Sequence, residues 1–326
     1  MQAQQGNSQV YKTSPIISFI ITYYNQPIAM LCECLESVLR LSLNDEEREI
    51  ILIDDGSSVS PINNLNKYRN HLIYIYQKNK GVSVARNRGI EISSGSYIQF
   101  IDADDYLEQI PYEHCIDMIR SSKADMIMFR HTTKKFRKQK YKDCVPTTGA
   151  EYMLHNNIYG SACGYIVRKK TIGDLRFSEG VSYSEDEEFT AQITLRTEHF
   201  IRTDAKAYFY RQHKSSAIHD KQRIDKRIDD IYHVILRLKE VSDRMSKTEQ
   251  EALQRRVAQL TMDYIYNIIT LTKDKKQVEQ AIEKLHSQGL FPLPDKNYTS
   301  KYKWFRKTTN TKLGRQALCL LLPKQL

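Results

Sequence analysis

The chain has 326 residues, room for one large domain or two smaller ones, and its 40% hydrophobic content excludes a disordered polypeptide. Its 49 Lys and Arg against 39 Asp and Glu give a net charge of +10, which favours an anionic partner (nucleic acid, nucleotide phosphate or membrane surface) without choosing among them. The six cysteines lack paired C-x-x-C spacing and read as reduced thiols, and neither a leader-like start nor a run of about 18 uninterrupted apolar residues is present, so a cytoplasmic protein is expected.

Residues 1–14 read as a flexible N-terminal segment. From residue 16 the run IISFIITYY is β-rich, and after Pro27 the residues Ile28, Leu31, Leu35, Val38 and Leu39 recur at helical spacing, which opens a β-α-β unit. Further strands are expected in EIILIDDGS (49–57), HLIYIY (71–76), SYIQFIDADD (96–105) and ADMIMF (124–129), with helices around 82–93 and near 111–122. Continuous apolar strands separated by helices predict an α/β fold with a mostly parallel central sheet covered on both faces. A basic stretch, HTTKKFRKQKYKD (131–143), reads as an exposed loop or hairpin, and a solvated charge run outweighs a binding patch there on composition.

The second half contains CGYIVRKK and YSEDEEFTAQITLR, and from about residue 219 the pattern is purely helical. Ile224, Ile228, Ile231, Ile235 and Leu238 form one stripe; a capping box at Thr248 and Glu251 is expected to open the next helix, and a third is expected to end at Gly289. The tail, 301–326, carries seven Lys or Arg and no acidic residue, together with Trp304, Phe305 and a closing ALCLLL. It fits an interfacial anchor on anionic lipid about as well as a docked helix with a solvated basic face.

Ligands of open α/β sheets gather at the carboxyl ends of strands, and here those ends read TYYN, DDGSS and DADD. Asp102, Asp104 and Asp105 repel one another unless a cation neutralises them, which a hard divalent ion held by carboxylates, waters and a substrate diphosphate would do. Taken alone, the triplet is better explained by a helix cap with solvated neighbours. Asp54 and Asp55 before Gly56 could accept hydrogen bonds from a ribose or a base, or simply make a turn. Arg86 and Arg88 could hold a phosphate, or lie on a helix surface.

Taken together, Thr22-Tyr23-Tyr24-Asn25, Asp54-Asp55-Gly56-Ser57, the run from Asn79 through Arg86-Asn87 to Gly89, and Asp102-Ala103-Asp104-Asp105 resemble family 2 glycosyltransferases in order and spacing across roughly residues 15–215. The resemblance implies a GT-A domain over 15–217, with a nucleotide-sugar half at about 15–130 and an acceptor half at about 131–217; outside it, the helical pattern and the charge mark a helical extension at 218–292 and a basic amphipathic tail at 293–326. It implies a nucleotide-diphosphate sugar donor, usually UDP-linked, a divalent metal (Mn²⁺ or Mg²⁺), and a glycan or lipid-linked glycan acceptor. Thr22, Tyr24 and Asn25 would then belong to the donor site, with Thr22 and Tyr24 lining the nucleoside pocket. Asp55 would meet the base, Arg86 would face the diphosphate, Asp102 would approach the ribose, and Asp104 would coordinate the metal with Asp102 and Asp105 beside it.

In SYSEDEEF (182–189), Asp186 matches the position of the family's general base and Glu185 would assist, whereas an acidic helix N-terminus is the bland alternative. Arg211, His213 and Ser215 are candidates to close over the diphosphate, Gly164 would admit a sugar, and Arg168 would meet a substrate phosphate. The expected activity is inverting transfer from a UDP-sugar to a hydroxyl of a surface polysaccharide or lipid-linked glycan, on the cytoplasmic side and peripheral to the membrane. A nucleotidyltransferase or other metal-dependent nucleotide enzyme is the alternative, and a nucleic-acid-binding protein a weaker one, since the surplus charge concentrates in 131–142 and the tail.

Overall fold

The computed structural model describes residues 14–134, 140–212 and 221–324, with the backbone alone for 221–223. The expected N-terminal segment, apart from Ser14, and the candidates His213 and Ser215 therefore lie outside the described residues.

The strands are β1 (Ile17–Tyr23), β2 (Arg48–Asp54), β3 (Ile73–Tyr76), β4 (Tyr97–Asp102), β5 (Tyr106–Leu107), β6 (Met126–Met128), β7 (His131–Thr132), β8 (Tyr165–Arg168), β9 (Phe200–Arg202) and β10 (Tyr208–Phe209). The helices of the α/β part are α1 (Ile28–Leu39), α2 (Val82–Ile92), α3 (Gln109–Ser122), α4 (Gly149–His155), α5 (Lys169–Ile172) and α6 (Glu185–Leu195). Beyond them come α7 (Lys221–Ser242), α8 (Lys247–Thr272), α9 (Lys275–Ser287), α10 (Ser300–Thr309) and α11 (Lys312–Leu321).

A seven-stranded sheet runs in the order β3-β2-β1-β4-β8-β6-β9. All its pairs are parallel except those of β8, which is antiparallel to both β4 and β6. Every residue of β1 is buried, as an apolar strand covered on both faces must be. Helix α2 lies so close on β1 that a Cβ at Gly89 would collide with Ile20 Cγ2, so a side chain there would push the helix off the sheet. A second sheet, β5-β10-β7, stands beside the carboxyl end of β4.

Register places the strand ends level. Thr22 pairs with Ile53 of β2 and with Asp102 of β4, and Tyr23 with Asp54. Three polar strand ends thus open on one edge.

The helical extension differs from expectation at one cap. Helix α8 is opened by a box of Ser246 with Glu249, not Thr248 with Glu251, because Glu249 Oε2 reaches both the Ser246 N–H at 3.1 Å and its hydroxyl at 2.6 Å. The stop at Gly289 holds: its φ of +67° is a conformation that glycine adopts at little cost. In the tail, α10 and α11 dock on the preceding helices. Tyr302 and Phe305 are buried and Arg315 grips Glu279 with two bonds of 2.9 and 2.6 Å, while Trp304, Leu313, Leu320 and Leu321 face outward. Among the described residues no helix is long and apolar enough to cross a membrane.

Candidate active site

The end of β2 is closed by its own chain. Asp54 is fully buried, accepting from the Ser57 N–H at 2.9 Å and from the Tyr74 hydroxyl at 2.8 Å. Asp55, also buried, accepts from Gln77 Nε2 at 2.7 Å, the Lys80 N–H at 3.0 Å and the Gly81 N–H at 2.9 Å. A carboxylate offers about four acceptor positions, so Asp55, expected to meet a base, has about one left. Asn25, at φ +59°, donates from its N–H to Ser57 Oγ and accepts at Oδ1 from Ser58, tying the end of β1 to the same loop. Thr22 lies buried beneath this edge and Tyr24 stands half exposed above it.

The end of β4 is charged instead. Asp102 takes a 3.1 Å ion pair from Arg86 Nη2, and its N–H donates to Tyr208 Oη at 3.1 Å. Asp104 is partly exposed in the turn that follows. Asp105 is not presented with it: the side chain is buried and accepts from the Arg211 N–H at 2.8 Å. Burial, then the Asp102 charge, pushes its carboxyl up to about 7.

Arg86, expected to face a diphosphate, is only 4% exposed and is committed to three carboxylates: Asp102, Glu185 at 3.2 Å, and Asp186. Burial works against its charge, but the carboxylates outweigh it and hold the guanidinium ionised. Glu185 is pushed up to about 8 by burial and by Asp186. Asp186 is also raised, by burial first and by Asp102 among its neighbours, although Arg86 and the Ala162 N–H at 3.2 Å oppose the rise.

Helix α6 carries four acids in its first turn, and the fold gives each a partner. Glu185 and Asp186 go to Arg86; Glu187 pairs with Arg256 of α8, and Glu188 takes two bonds of 2.8 and 2.7 Å from Arg237 of α7. Asp230 of α7 accepts from the Ser182 and Tyr183 N–H groups at 2.9 and 3.2 Å. Beneath them Phe177 stacks on Phe189 at 3.9 Å, and Phe100 of β4 meets both edge-on. The helical extension thus fixes the angle at which Asp186 enters the site. Nothing in the sequence marked Arg237 or Arg256, which lie roughly fifty and seventy residues from their partners and look like ordinary surface positions on amphipathic helices.

Two acceptor-side expectations are corrected. Arg168 sits opposite Tyr97, at the start of β4 and so at the far edge of the sheet, bonded to Asp125 and to the Lys123 and Ala124 carbonyls. Gly164 does admit a close neighbour, but it is His131, whose Nε2 would lie 3.1 Å from a Cβ there. Arg211 spans Glu33 and the Tyr106 ring, and its N–H holds Asp105. Tyr208, overlooked in the sequence, joins the two sheets through its bond to Asp102.

Among the described residues no three His, Cys, Asp or Glu side chains form a ligand set for a metal ion. The acidic edge nevertheless fits a hard cation shared with a phosphate substrate, which needs only one or two carboxylates from the protein. One guanidinium faces the three carboxyls Asp102, Glu185 and Asp186, which crowd it to the point that Glu185 and Asp186 hold their protons more tightly, and Asp104 lies beside Asp102.

Residues 18–172 match the model of Glycosyl transferase family 2. The putative glycosyltransferase EpsH of Bacillus subtilis is 27% identical over 64% of this chain and 64% of its own length, so the match spans less than two thirds of that relative. Among solved structures, S. aureus TarS 1–349 in complex with UDP-GlcNAc is similar at a TM-score of 0.55, 17% identity, and 93% and 90% of the two chains. The mannosyltransferase PcManGT of Pyrobaculum calidifontis, in complex with GDP-Man and Mn²⁺, is similar at 0.56 and 11% identity over 95% and 88%. The structural likeness shows a GT-A fold, and residues 18–172, just under half of the chain, are similar to glycosyltransferases of family 2.

Proposed function

Since residues 18–172 match the model of Glycosyl transferase family 2, we propose that this chain moves a sugar from a UDP-sugar to a hydroxyl of a surface polysaccharide or lipid-linked glycan, with inversion, on the cytoplasmic face of the membrane. The observation that carries the reading is the meeting of Asp102, Glu185 and Asp186 on Arg86 at the edge where β1, β2 and β4 end.

Asp186 is the base. Its raised proton affinity suits it to take the proton of an acceptor hydroxyl as that oxygen bonds to the anomeric carbon and the bond to the diphosphate breaks. Attack from the face opposite the leaving group inverts the centre and needs no covalent enzyme intermediate. Glu185 orients the acceptor beside it. Asp104 and Asp102 would hold the divalent cation, which when bound neutralises charge developing on the diphosphate. Arg86 keeps Glu185 and Asp186 in place. Thr22, Tyr24, Asn25 and the loop fastened by Asp55 form the nucleoside wall.

A thermal-shift screen of nucleotide sugars with and without Mn²⁺ tests this, because a donor stabilises only the folded state that binds it. A metal-dependent rise with a UDP-sugar, and UDP release once acceptor is added, is the expected result. No response to any UDP-sugar would refute the donor assignment.

A further inference from the structure

Beside the acidic strand end lies a cavity of about 350 Å³ with the opposite charge. Arg130, Lys134 and Lys206 line it together with His131, Tyr210 and two threonines, and among the described residues no acidic side chain does. The fold builds it by holding two chain segments in register. The Arg130 N–H donates to the Ala205 carbonyl at 2.8 Å, β7 pairs with β10, and the Tyr210 N–H donates to the Thr132 carbonyl at 2.8 Å. Thr132 Oγ1 then turns the chain by donating to the Lys134 carbonyl at 2.6 Å.

The basic side chains of the lining point to a ligand. Arg130 and Lys134 are exposed and their side chains have no ion pair among the described residues, unlike the arginines of the acidic edge. His131 is wedged between the Tyr159 and Tyr208 rings, at 5.8 and 5.2 Å, with Nε2 buried and without a hydrogen-bond partner among the described residues. That nitrogen lies against Gly164, outside the lining, so an anion in the cavity would meet the exposed Arg130 and Lys134 with the His131 ring beside them. The place is next to the chemistry, because Tyr208, whose ring packs at a tilt against His131, accepts from the Asp102 N–H.

We infer that this pocket is a subsite for an anionic group on the acceptor, a phosphate or carboxylate carried by the glycan chain that receives the sugar. The inference rests on the glycosyltransferase reading of the neighbouring edge. A basic pocket one tyrosine away from a cluster of carboxylates gives an anionic chain a docking point that the acidic edge itself would repel, and so fixes which hydroxyl reaches Asp186.

The test uses the full chain labelled with ¹⁵N-histidine, titrated with inorganic phosphate and separately with glucuronate against chloride at equal ionic strength, while the His131 ring signals are followed. A saturable shift is expected, with the stronger of the two probes identifying the anion. The shift should weaken about tenfold in the Arg130→Gln/Lys134→Gln double variant and be unchanged in Lys307→Gln on the tail. No saturable shift with either probe, equal weakening in the tail variant, displacement of the anion by UDP, or tighter binding of an oligonucleotide than of either anion would overturn the assignment. UDP binding, measured on the same samples, reports on the donor reading separately: its loss with anion binding retained refutes that reading and not the basic pocket.

Discussion

Two strand ends in this protein carry paired carboxylates, and they are satisfied in different ways. At the end of β2, Asp54 and Asp55 are held by neutral donors, four of the five coming from main-chain N–H groups or a hydroxyl and the fifth from an amide. At the end of β4, Asp102 shares one arginine with two acids from α6, and Asp105 is buried with its carboxyl raised to about 7. The first pair belongs to the scaffold and shapes a loop. The second holds more carboxyls than its one arginine can pair, and the crowding raises their proton affinity, a strain that a cation with its phosphate ligand would relieve.

Removing charge from the second cluster should therefore cost activity, and removing it from the first should cost stability. The largest effect is expected for Asp186→Asn, where transfer falls by roughly 10²–10⁴-fold while donor affinity is kept and the unfolding midpoint is held or raised. Steady-state rates alongside nucleotide titration check it, and retained transfer would remove Asp186 from the role of base. Next comes Asp55→Ala, which strands the Lys80 and Gly81 N–H groups and should lower the unfolding free energy by about 2–4 kcal/mol in urea. An unchanged midpoint would erase the distinction between the two strand ends.

The smallest effect concerns pH. The folded-state carboxyl of Asp105 is raised from 3.8 to about 7, so in that window the folded chain holds a proton that the unfolded chain has released. Its contribution is present at low pH and is lost as pH rises through about 7; Glu185, raised to about 8, acts in the same direction. Asp105→Asn should flatten this decline and stabilise the metal-free protein more near pH 8 than near pH 5. Urea midpoints at the two pH values measure it, and a decline of unchanged slope would show that Asp105 does not titrate in that range.

Much of the donor edge was legible because its signals are local. A buried apolar run ending in TYYN, DDGS or DADD states both the strand and its direction, and the parallel register then sets Thr22 level with Asp102. The acidic start of α6 was legible for the same reason. Side-chain direction within those motifs was not. Asp104 and Asp105 are adjacent in sequence, yet one is partly exposed and the other buried, because only the arrival of Arg211 from β10 supplies a donor under the turn. Arg168 was assigned to the site by its strand, but the antiparallel insertion of β8 sends that end of the strand to the opposite edge.

By itself, then, the sequence determined the alternation of strands and helices, the three polar strand ends and the acidic helix start, since periodicity and charge clustering are properties of neighbouring residues. Only the tertiary structure decided what each carboxylate faces. Arg86 reaches Glu185 and Asp186 across about a hundred residues, and Arg237 and Arg256 fix the same helix from the extension. Ion pairs depend on distances in space, and those are set by how the sheet and helices pack.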